Sequence, residues 1–305
     1  MAQAFPDKPI RLIVPVSPGG AADVLARFLG SEVQASIRHS VIVENRPGAG
    51  GYIGMGACAK SPPDGYTVCL TTPDVLTYGP WLYSNPPLDA ANDFTGVSQL
   101  VNIHGLFYTG AGTSFNSFKE LVALARAKPD SVNFGTWGPG SIPDLFVRYI
   151  NRELGIGLTV VPYKGAADVL REVLGGQIQV GYLAVGAVLP HIRSGKIRPL
   201  ASTSSKRSPF LPDIPALSEF GVNPGFVSYF ALYAPANVSA PVAQRLYEEF
   251  TRPLKTPQGA KFIEAQTMEV VASPPAEFQK FMKADRENAG QRFKDLGVKP
   301  SAAPN

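Results

Sequence analysis

The stretch Ile10-Arg11-Leu12-Ile13-Val14-Pro15-Val16-Ser17-Pro18-Gly19-Gly20-Ala21-Ala22-Asp23-Val24-Leu25-Ala26-Arg27-Phe28 decides the fold class. Ile10 to Val16 is a short, mostly apolar and β-branched run, the pattern of a buried strand, and Pro18-Gly19-Gly20 ends it with turn chemistry. Beyond the turn Val24, Leu25, Phe28, Leu29 and Val33 recur at three- and four-residue steps, which predicts a helix with one face on a sheet. Gly19 and Gly20 carry no Cβ, so a ligand atom can approach the backbone at the helix start. There the unpaired N–H groups and the positive end of the helix dipole favour an anion. The stretch reads as half of a carboxylate site, although the same junction serves as plain connection in many α/β domains. Asp23 would repel an anion, and is expected to cap helix N–H groups while facing away from it.

Further along, the strand Val132 to Phe134 runs into Gly135-Thr136-Trp137-Gly138-Pro139-Gly140-Ser141 and then a helix from Pro143 to Leu154. This repeats the strand, glycine turn and helix logic of the opening stretch and supplies a second helix-start anion site. Thr72-Pro73-Asp74 follows the strand Thr67 to Thr71, at the strand end where α/β ligands collect. Other strands are expected over His39 to Val43, Thr159 to Pro162, Ile178 to Leu183, Ile197 to Ser202 and Val227 to Ala234. Phe94 to Tyr108 is expected as one long strand that crosses between domains. Helices are expected over Ile53 to Ala59, Ala167 to Leu174, Val188 to Arg193, Val242 to Leu254, Gly259 to Gln266 and Ala276 to Leu296. Ser117-Phe118-Lys119-Glu120 reads as a capping box that opens another, and Pro300 to Asn305 as a disordered tail.

The 305 residues are enough for a sizeable core and two domains. Hydrophobic residues make up 45% and charged residues 17%, an ordinary globular balance. The formal net charge of +4 is scattered along the chain, which argues against a nucleic-acid-binding stripe. No run of about 18 apolar residues occurs, so no membrane-spanning helix is expected. Ala2-Gln3-Ala4 has the Ala-x-Ala form of a signal-peptidase site, which leads us to expect a periplasmic, exported chain whose signal peptide is absent; an ordinary cytosolic start is the alternative. Cys58 and Cys69 are the only cysteines. They lack metal-ligand or C-x-x-C spacing, and one bridge or two buried thiols fit equally well.

Most catalytic chemistry is missing. There is no G-x-G-x-x-G, no P-loop and no G-x-S-x-G, and His39, His104 and His191 have no partner at metal or acid-base spacing. No catalytic residue, metal or cofactor is expected. Lys164, in Pro162-Tyr163-Lys164-Gly165, is read as solvated surface.

Six motifs then carry a family resemblance: Pro6-x-Lys8-Pro9-Ile10 with Val14-Pro15-x-x-Pro18-Gly19-Gly20, Val43-Glu44-Asn45-Arg46-Pro47-Gly48-Ala49-Gly50-Gly51, Pro63-Asp64-Gly65-Tyr66-Thr67, Val161-Pro162-Tyr163-Lys164-Gly165, Gly175-Gly176-Gln177-x-Gln179-Val180, and Leu211-Pro212-Asp213-x-Pro215. In this order, over nearly the whole chain, they resemble the Bug-type, or tripartite tricarboxylate transporter, solute-binding receptors of bacteria. The resemblance implies an α/β, two-lobed type II periplasmic-binding-protein fold, with two α/β domains joined by crossing strands. Residues 1–103 plus 226–305 would form one lobe and residues 104–225 the other, with the ligand in a cleft between them. It implies a monomeric, non-enzymatic receptor that captures a small carboxylate and delivers it to the membrane permease subunits of such a transporter. The rival classes are an enzyme using the same cleft and a ligand-sensing domain. The latter is expected to carry an upstream helix-turn-helix, which this sequence does not show.

Carried over position by position, the family's Pro-Gly-Gly loop falls on Ser17, Pro18, Gly19, Gly20, Ala21 and Ala22. Its threonine loop falls on Thr72 and Pro73, and its hydroxyl-rich turn on Thr136, Gly138 and Ser141; Trp137 and Tyr163 are expected beside them. Many members carry Phe-Asp-Asn where Tyr182-Leu183-Ala184 stands here. Leu183 therefore replaces an acid, which shifts the expectation from amino acids toward dicarboxylates and apolar or aromatic carboxylates.

Overall fold

The computed structural model describes residues 5–138, 141–163, 165–204, 206–223, 225–226 and 228–303. The Ala2-Gln3-Ala4 tripeptide, Lys164, and Pro139 and Gly140 of the second glycine turn lie outside the described residues, as does Val227, where a strand is expected to begin. The chain divides into two compact units, Met1–Asn102 with Ser228–Asn305, and Ile103–Val227.

The first unit contributes β1 (Ile10–Val14), α1 (Ala21–Ile37), β2 (Val41–Asn45), α2 (Tyr52–Ala59), β3 (Thr67–Thr71), α3 (Gly79–Leu82) and β4 (Phe94–Ile103). The second holds β5 (Gly105–Gly110), α4 (Phe118–Ala127), β6 (Val132–Thr136), α5 (Ile142–Leu154), β7 (Leu158–Pro162), α6 (Ala166–Leu174), β8 (Val180–Ala184), α7 (Val185–Arg193) and β9 (Ile197–Ser202). The chain then completes the first unit with β10 (Ser228–Pro235), α8 (Ala240–Thr251), α9 (Pro257–Ala265), β11 (Met268–Val270) and α10 (Pro275–Asp295).

The first unit is built on a six-stranded sheet in the order β11-β4-β10-β3-β1-β2. β1 runs parallel to both β2 and β3, with Ile10 level with Val41 and Arg11 with Thr67, while β10 is antiparallel to β3. Every residue of β1 except Arg11 is buried, as expected of a parallel strand covered on both faces. Leu25, Ala26, Leu29 and Val33 of α1 are buried with it, the stripe that the three- and four-residue spacing predicts. Cys58 of α2 and Cys69 of β3 are joined by a disulfide, their Cα atoms 6.2 Å apart. That decides between the two readings the sequence leaves open.

The second unit has a five-stranded sheet in the order β7-β6-β8-β5-β9. β6 is parallel to β7 and β8, and β5 is antiparallel to β8 and β9. Its core centres on Phe107, whose ring lies 5.4 Å from that of Phe134 and 5.6 Å from that of Phe146, both edge-on.

Several boundaries differ from those expected. The single long strand Phe94 to Tyr108 is two strands in different sheets, separated at His104, whose carbonyl accepts the N–H of Val185. Both halves satisfy β pattern equally well, and only their pairing partners separate them. α7 starts at Val185 rather than Val188, and β11 interrupts the C-terminal part that reads as helical. The expected tail is anchored at Ser301: the Ser84 N–H donates to the Ser301 carbonyl and the Ser301 N–H to the Leu82 carbonyl, each at 2.9 Å, while Pro304 and Asn305 lie outside the described residues. The capping box at Ser117 is half formed. Ser117 Oγ accepts the Glu120 N–H at 3.2 Å, but the Glu120 carboxylate reaches one residue further back, to the N–H of Asn116 at 2.7 Å.

Candidate functional site

In the first unit the parallel strands β1, β2 and β3 end at one edge of the sheet, so the segments that follow them emerge side by side. Ser17 to Ala22 follows β1 and Thr72-Pro73 follows β3, which brings these expected residues to a common edge. Ser17 to Ala21 are exposed and Ala22 is buried. Gly19 adopts φ +90°, and a Cβ placed on Gly19 or Gly20 would meet nothing within 4 Å. The left-handed conformation explains the glycine at position 19, and the open space leaves its backbone approachable. Gly20 is the N-cap of α1 and makes no side-chain cap, so the first N–H groups of the helix, at Ala21 and Ala22, have no intrahelical acceptor.

Asp23 behaves differently from the expected helix cap. Its carboxylate accepts the Gly19 N–H at 2.9 Å, the Asn45 side-chain amide at 2.9 Å and Arg27 Nε at 3.0 Å. Asn45 also donates to the Val16 carbonyl at 3.2 Å. This acid ties the turn after β1 to the end of β2. Burial pushes its pKa up, but the bonds from Arg27, Gly19 and Asn45 outweigh that and hold it below the usual carboxylate range.

At the end of β3 the Thr72 hydroxyl donates to Asp74 Oδ2 at 2.5 Å. Its proton is thereby committed, and Thr72 offers the site an acceptor rather than the donor its residue type suggests. Asp74 is exposed to solvent as a residue, yet desolvation by surrounding protein raises its carboxyl above the usual range, with the Thr72 bond opposing the shift. Pro73 is buried.

In the second unit β6, β7 and β8 run parallel, and Thr136, Tyr163 and Leu183 stand at or just beyond their C-terminal ends, again at one edge. Thr136 is fully buried; its carbonyl accepts the Tyr163 N–H at 2.8 Å, and its hydroxyl lies 3.4 Å from the Gly138 N–H. Ser141 donates its hydroxyl to the Gly138 carbonyl at 2.6 Å and stands as the N-cap of α5. Both hydroxyls thus brace the turn. The groups left for a ligand are backbone: Gly138 adopts φ +105°, a Cβ placed on it would meet nothing within 4 Å, and α5 begins with Ile142, its second position being Pro143, which has no N–H. Trp137 is half-buried with its ring 6.0 Å from that of Tyr182. Leu183 and Tyr163 are partly buried and pack on the core cluster around Leu106 and Val169.

The Thr72–Asp74 hydrogen bond and the Asp23–Asn45 bridge are features that residue-by-residue reading passes over. The signal available is position: Asp74 directly follows the threonine loop, and Asn45 closes the strand beside β1. A cavity of about 890 Å³ opens at the other edge of the second sheet, bordered by Gly110, Thr113, Ser131, Gln179, His191 and Lys196, and holds none of the expected site residues. Among the described residues no group of three or more His, Cys, Asp or Glu is placed to hold a metal, and no helix is long and apolar enough to cross a membrane.

Comparison with known proteins identifies the family. The family described as tripartite tricarboxylate transporter family receptor matches residues 25–298. Protein BugT of Bordetella pertussis is 32% identical over 301 residues, covering 98% of this chain and 92% of the relative. A protein encoded in the TAR-I ttuE-ttuC' intergenic region of Agrobacterium vitis is 31% identical over 299 residues, covering 96% and 86%. Among solved structures, the periplasmic binding protein BugD superposes with a TM-score of 0.83 at 28% identity, covering 97% of this chain and all of that one. R. palustris Rpa4515, solved with adipate, superposes with a TM-score of 0.87 at 29% identity over the same shares. On the family match and these relatives, the chain belongs to the Bug-type tripartite tricarboxylate transporter receptor family of solute-binding proteins.

Proposed function

We propose that this receptor captures a small carboxylate by closure of two lobes, 1–103 plus 226–305 and 104–225, and delivers it to the permease subunits of a tripartite tricarboxylate-type transporter outside the cytoplasm. The observation that carries the reading is the pair of open glycine turns, at Gly19-Gly20 and Gly138. Each follows a parallel strand and precedes a helix start. No lysine or arginine stands in Pro18 to Ala22, Thr72-Pro73 or Thr136 to Ser141, so these turns hold an anion by neutral N–H donors and helix dipoles. Each such charge-assisted bond contributes roughly 1.5 to 3 kcal/mol. The adipate with which the similar Rpa4515 was solved supports a carboxylate, and the family's character as transporter receptors supports the partner.

A thermal-shift screen across mono-, di- and aromatic carboxylates tests the reading. A ligand at 100 times its dissociation constant stabilises the fold by about 2.7 kcal/mol, which a melting curve resolves. Small-angle scattering with the best ligand should show the radius of gyration fall on saturation. A screen in which amines or sugars shift the melting temperature and no carboxylate does so would sink the proposal.

A further inference from the structure

The motif Gly175-Gly176-Gln177-x-Gln179-Val180 belongs to neither glycine turn. Its two glycines and Gln179 border the cavity of about 890 Å³ at the opposite edge of the second sheet, where β5 ends and β6, β8 and β9 begin. The wall of this cavity is braced from within the protein. Arg198 of β9 donates to the Phe115 carbonyl at 3.0 Å and to the Ala111 carbonyl at 3.2 Å, which fixes the loop after β5. Lys196 is held through its backbone, its N–H donating to the His191 carbonyl at 3.0 Å and its carbonyl accepting the Ala111 N–H at 3.1 Å. The Gln179 side-chain oxygen accepts the Asn133 N–H at 2.9 Å, so its NH2 is the end left over.

Two chemistries meet there. Phe115, Leu124, Val173 and Leu174 supply apolar wall, and Leu174 is 38% exposed. The Lys196 ammonium, the His191 ring and the Gln179 NH2 form no ion pair or hydrogen bond among the described residues, and no aspartate or glutamate among them borders the cavity. Capping of α7 does not account for the two bases. That helix end is closed by its own backbone, the Ser194 and Gly195 N–H groups donating to the Pro190 and Ile192 carbonyls at 3.1 and 3.0 Å.

We propose that this cavity is a second binding site, separate from the strand-end turns, and that it takes an amphipathic monoanion: one anionic head on an apolar chain or ring. Its volume falls in the range of small-molecule sites, roughly 300 to 1,000 Å³, and such sites pair an apolar wall with a few fixed polar groups. The head is an anion because the uncommitted groups are a cation and N–H donors, with no acid to repel it. The body is apolar because covering Leu174 and its neighbours removes apolar surface from water. A braced wall binds without first having to be ordered. The proposal does not depend on the carboxylate reading of the glycine turns, since it shares no residue with them.

Calorimetry on the full chain at neutral pH tests this with hexanesulfonate, an amphipathic anion that is not a carboxylate. Three controls accompany it: methanesulfonate has the head alone, hexanol the body alone, and hexylammonium the opposite charge. The expected result is that hexanesulfonate binds with a dissociation constant of about 1 mM or tighter and each control roughly 10-fold or more weakly. Lys196→Glu, which reverses the charge, and Leu174→Asp, which places an acid on the apolar wall, should each weaken hexanesulfonate by roughly 10-fold. Both positions are exposed, and circular dichroism checks the fold of each variant. If hexanesulfonate does not bind, or hexylammonium binds as tightly, the proposal is wrong. It is equally wrong if hexanesulfonate binds both folded variants as well as the parent, because the probe is then held elsewhere.

Discussion

The N–H of Gly19 donates to the carboxylate of Asp23 at 2.9 Å, so the residue that gives the first glycine turn its left-handed backbone is held by a buried acid one turn into α1. The same carboxylate takes the Asn45 amide and Arg27. The turn is thereby braced by the buried acid, while Ser17 to Ala21 stay exposed.

Asp23→Ala is expected to destabilise the protein by about 2 kcal/mol, because several charge-assisted bonds are lost but Arg27, at 54% side-chain exposure, is screened by solvent. The Asp23 carboxyl has a folded pKa below its ordinary value. Its contribution is therefore fully present above about pH 4 and is lost as pH falls through the folded pKa. Denaturant melts of both proteins should differ at pH 7 and converge in acid; a gap that persists at the lowest accessible pH would refute the assignment.

Asp285 has the opposite sign. It is buried on α10, takes the Tyr229 hydroxyl at 3.3 Å, and burial pushes its pKa up to about 6 against the hydrogen bonds from Tyr229 and Thr77. Between about pH 4 and pH 6 the folded protein keeps a proton that the unfolded chain has released, so this group's contribution falls as pH rises through that window. Asp285→Asn keeps an acceptor for Tyr229 and removes the charge. It is expected to raise stability by about 1 to 3 kcal/mol at pH 8 and to make no difference near pH 4. Urea midpoints across pH 4 to 8 read this directly.

The Cys58–Cys69 disulfide closes a loop with a sequence separation of 11. Loop closure of that size stabilises by about 2 to 3 kcal/mol. A reducing agent, or the paired change Cys58→Ala with Cys69→Ala, should lower the unfolding midpoint accordingly, and free-thiol titration of the untreated denatured protein should find none.

Gly54 lies in α2 with no room for a side chain: a Cβ there would sit 2.7 Å from the Arg46 carbonyl oxygen and 2.8 Å from Pro15 Cα. Both are backbone atoms that cannot swing aside. Gly54→Ala gains about 1 kcal/mol of helix propensity but must displace the chain just where β1 and β2 end, which costs about 1 to 3 kcal/mol or more. A net loss of stability is expected, together with weaker carboxylate binding because the Ser17 to Ala22 turn follows Pro15. An Ala variant as stable as the parent would show that the packing there is looser than these distances require.

Features that depend on neighbours along the chain are legible in the sequence. Periodicity places α1 and β3, the family motifs carry the fold, and the glycines mark where the backbone turns at Gly19 and Gly138. Features that depend on partners distant in sequence are not. Whether Cys58 and Cys69 join required α2 to lie on β3, and whether Phe94 to Tyr108 is one strand or two required knowing which strands pair with each half. The direction of each hydroxyl proton at the candidate site is equally hidden. Thr72, Thr136 and Ser141 are all donors by residue type, yet the folded chain points Thr72 at Asp74 and Ser141 at the Gly138 carbonyl, and buries Thr136. A hydroxyl has one proton and gives it to the best-placed acceptor, and only tertiary contacts settle which acceptor that is.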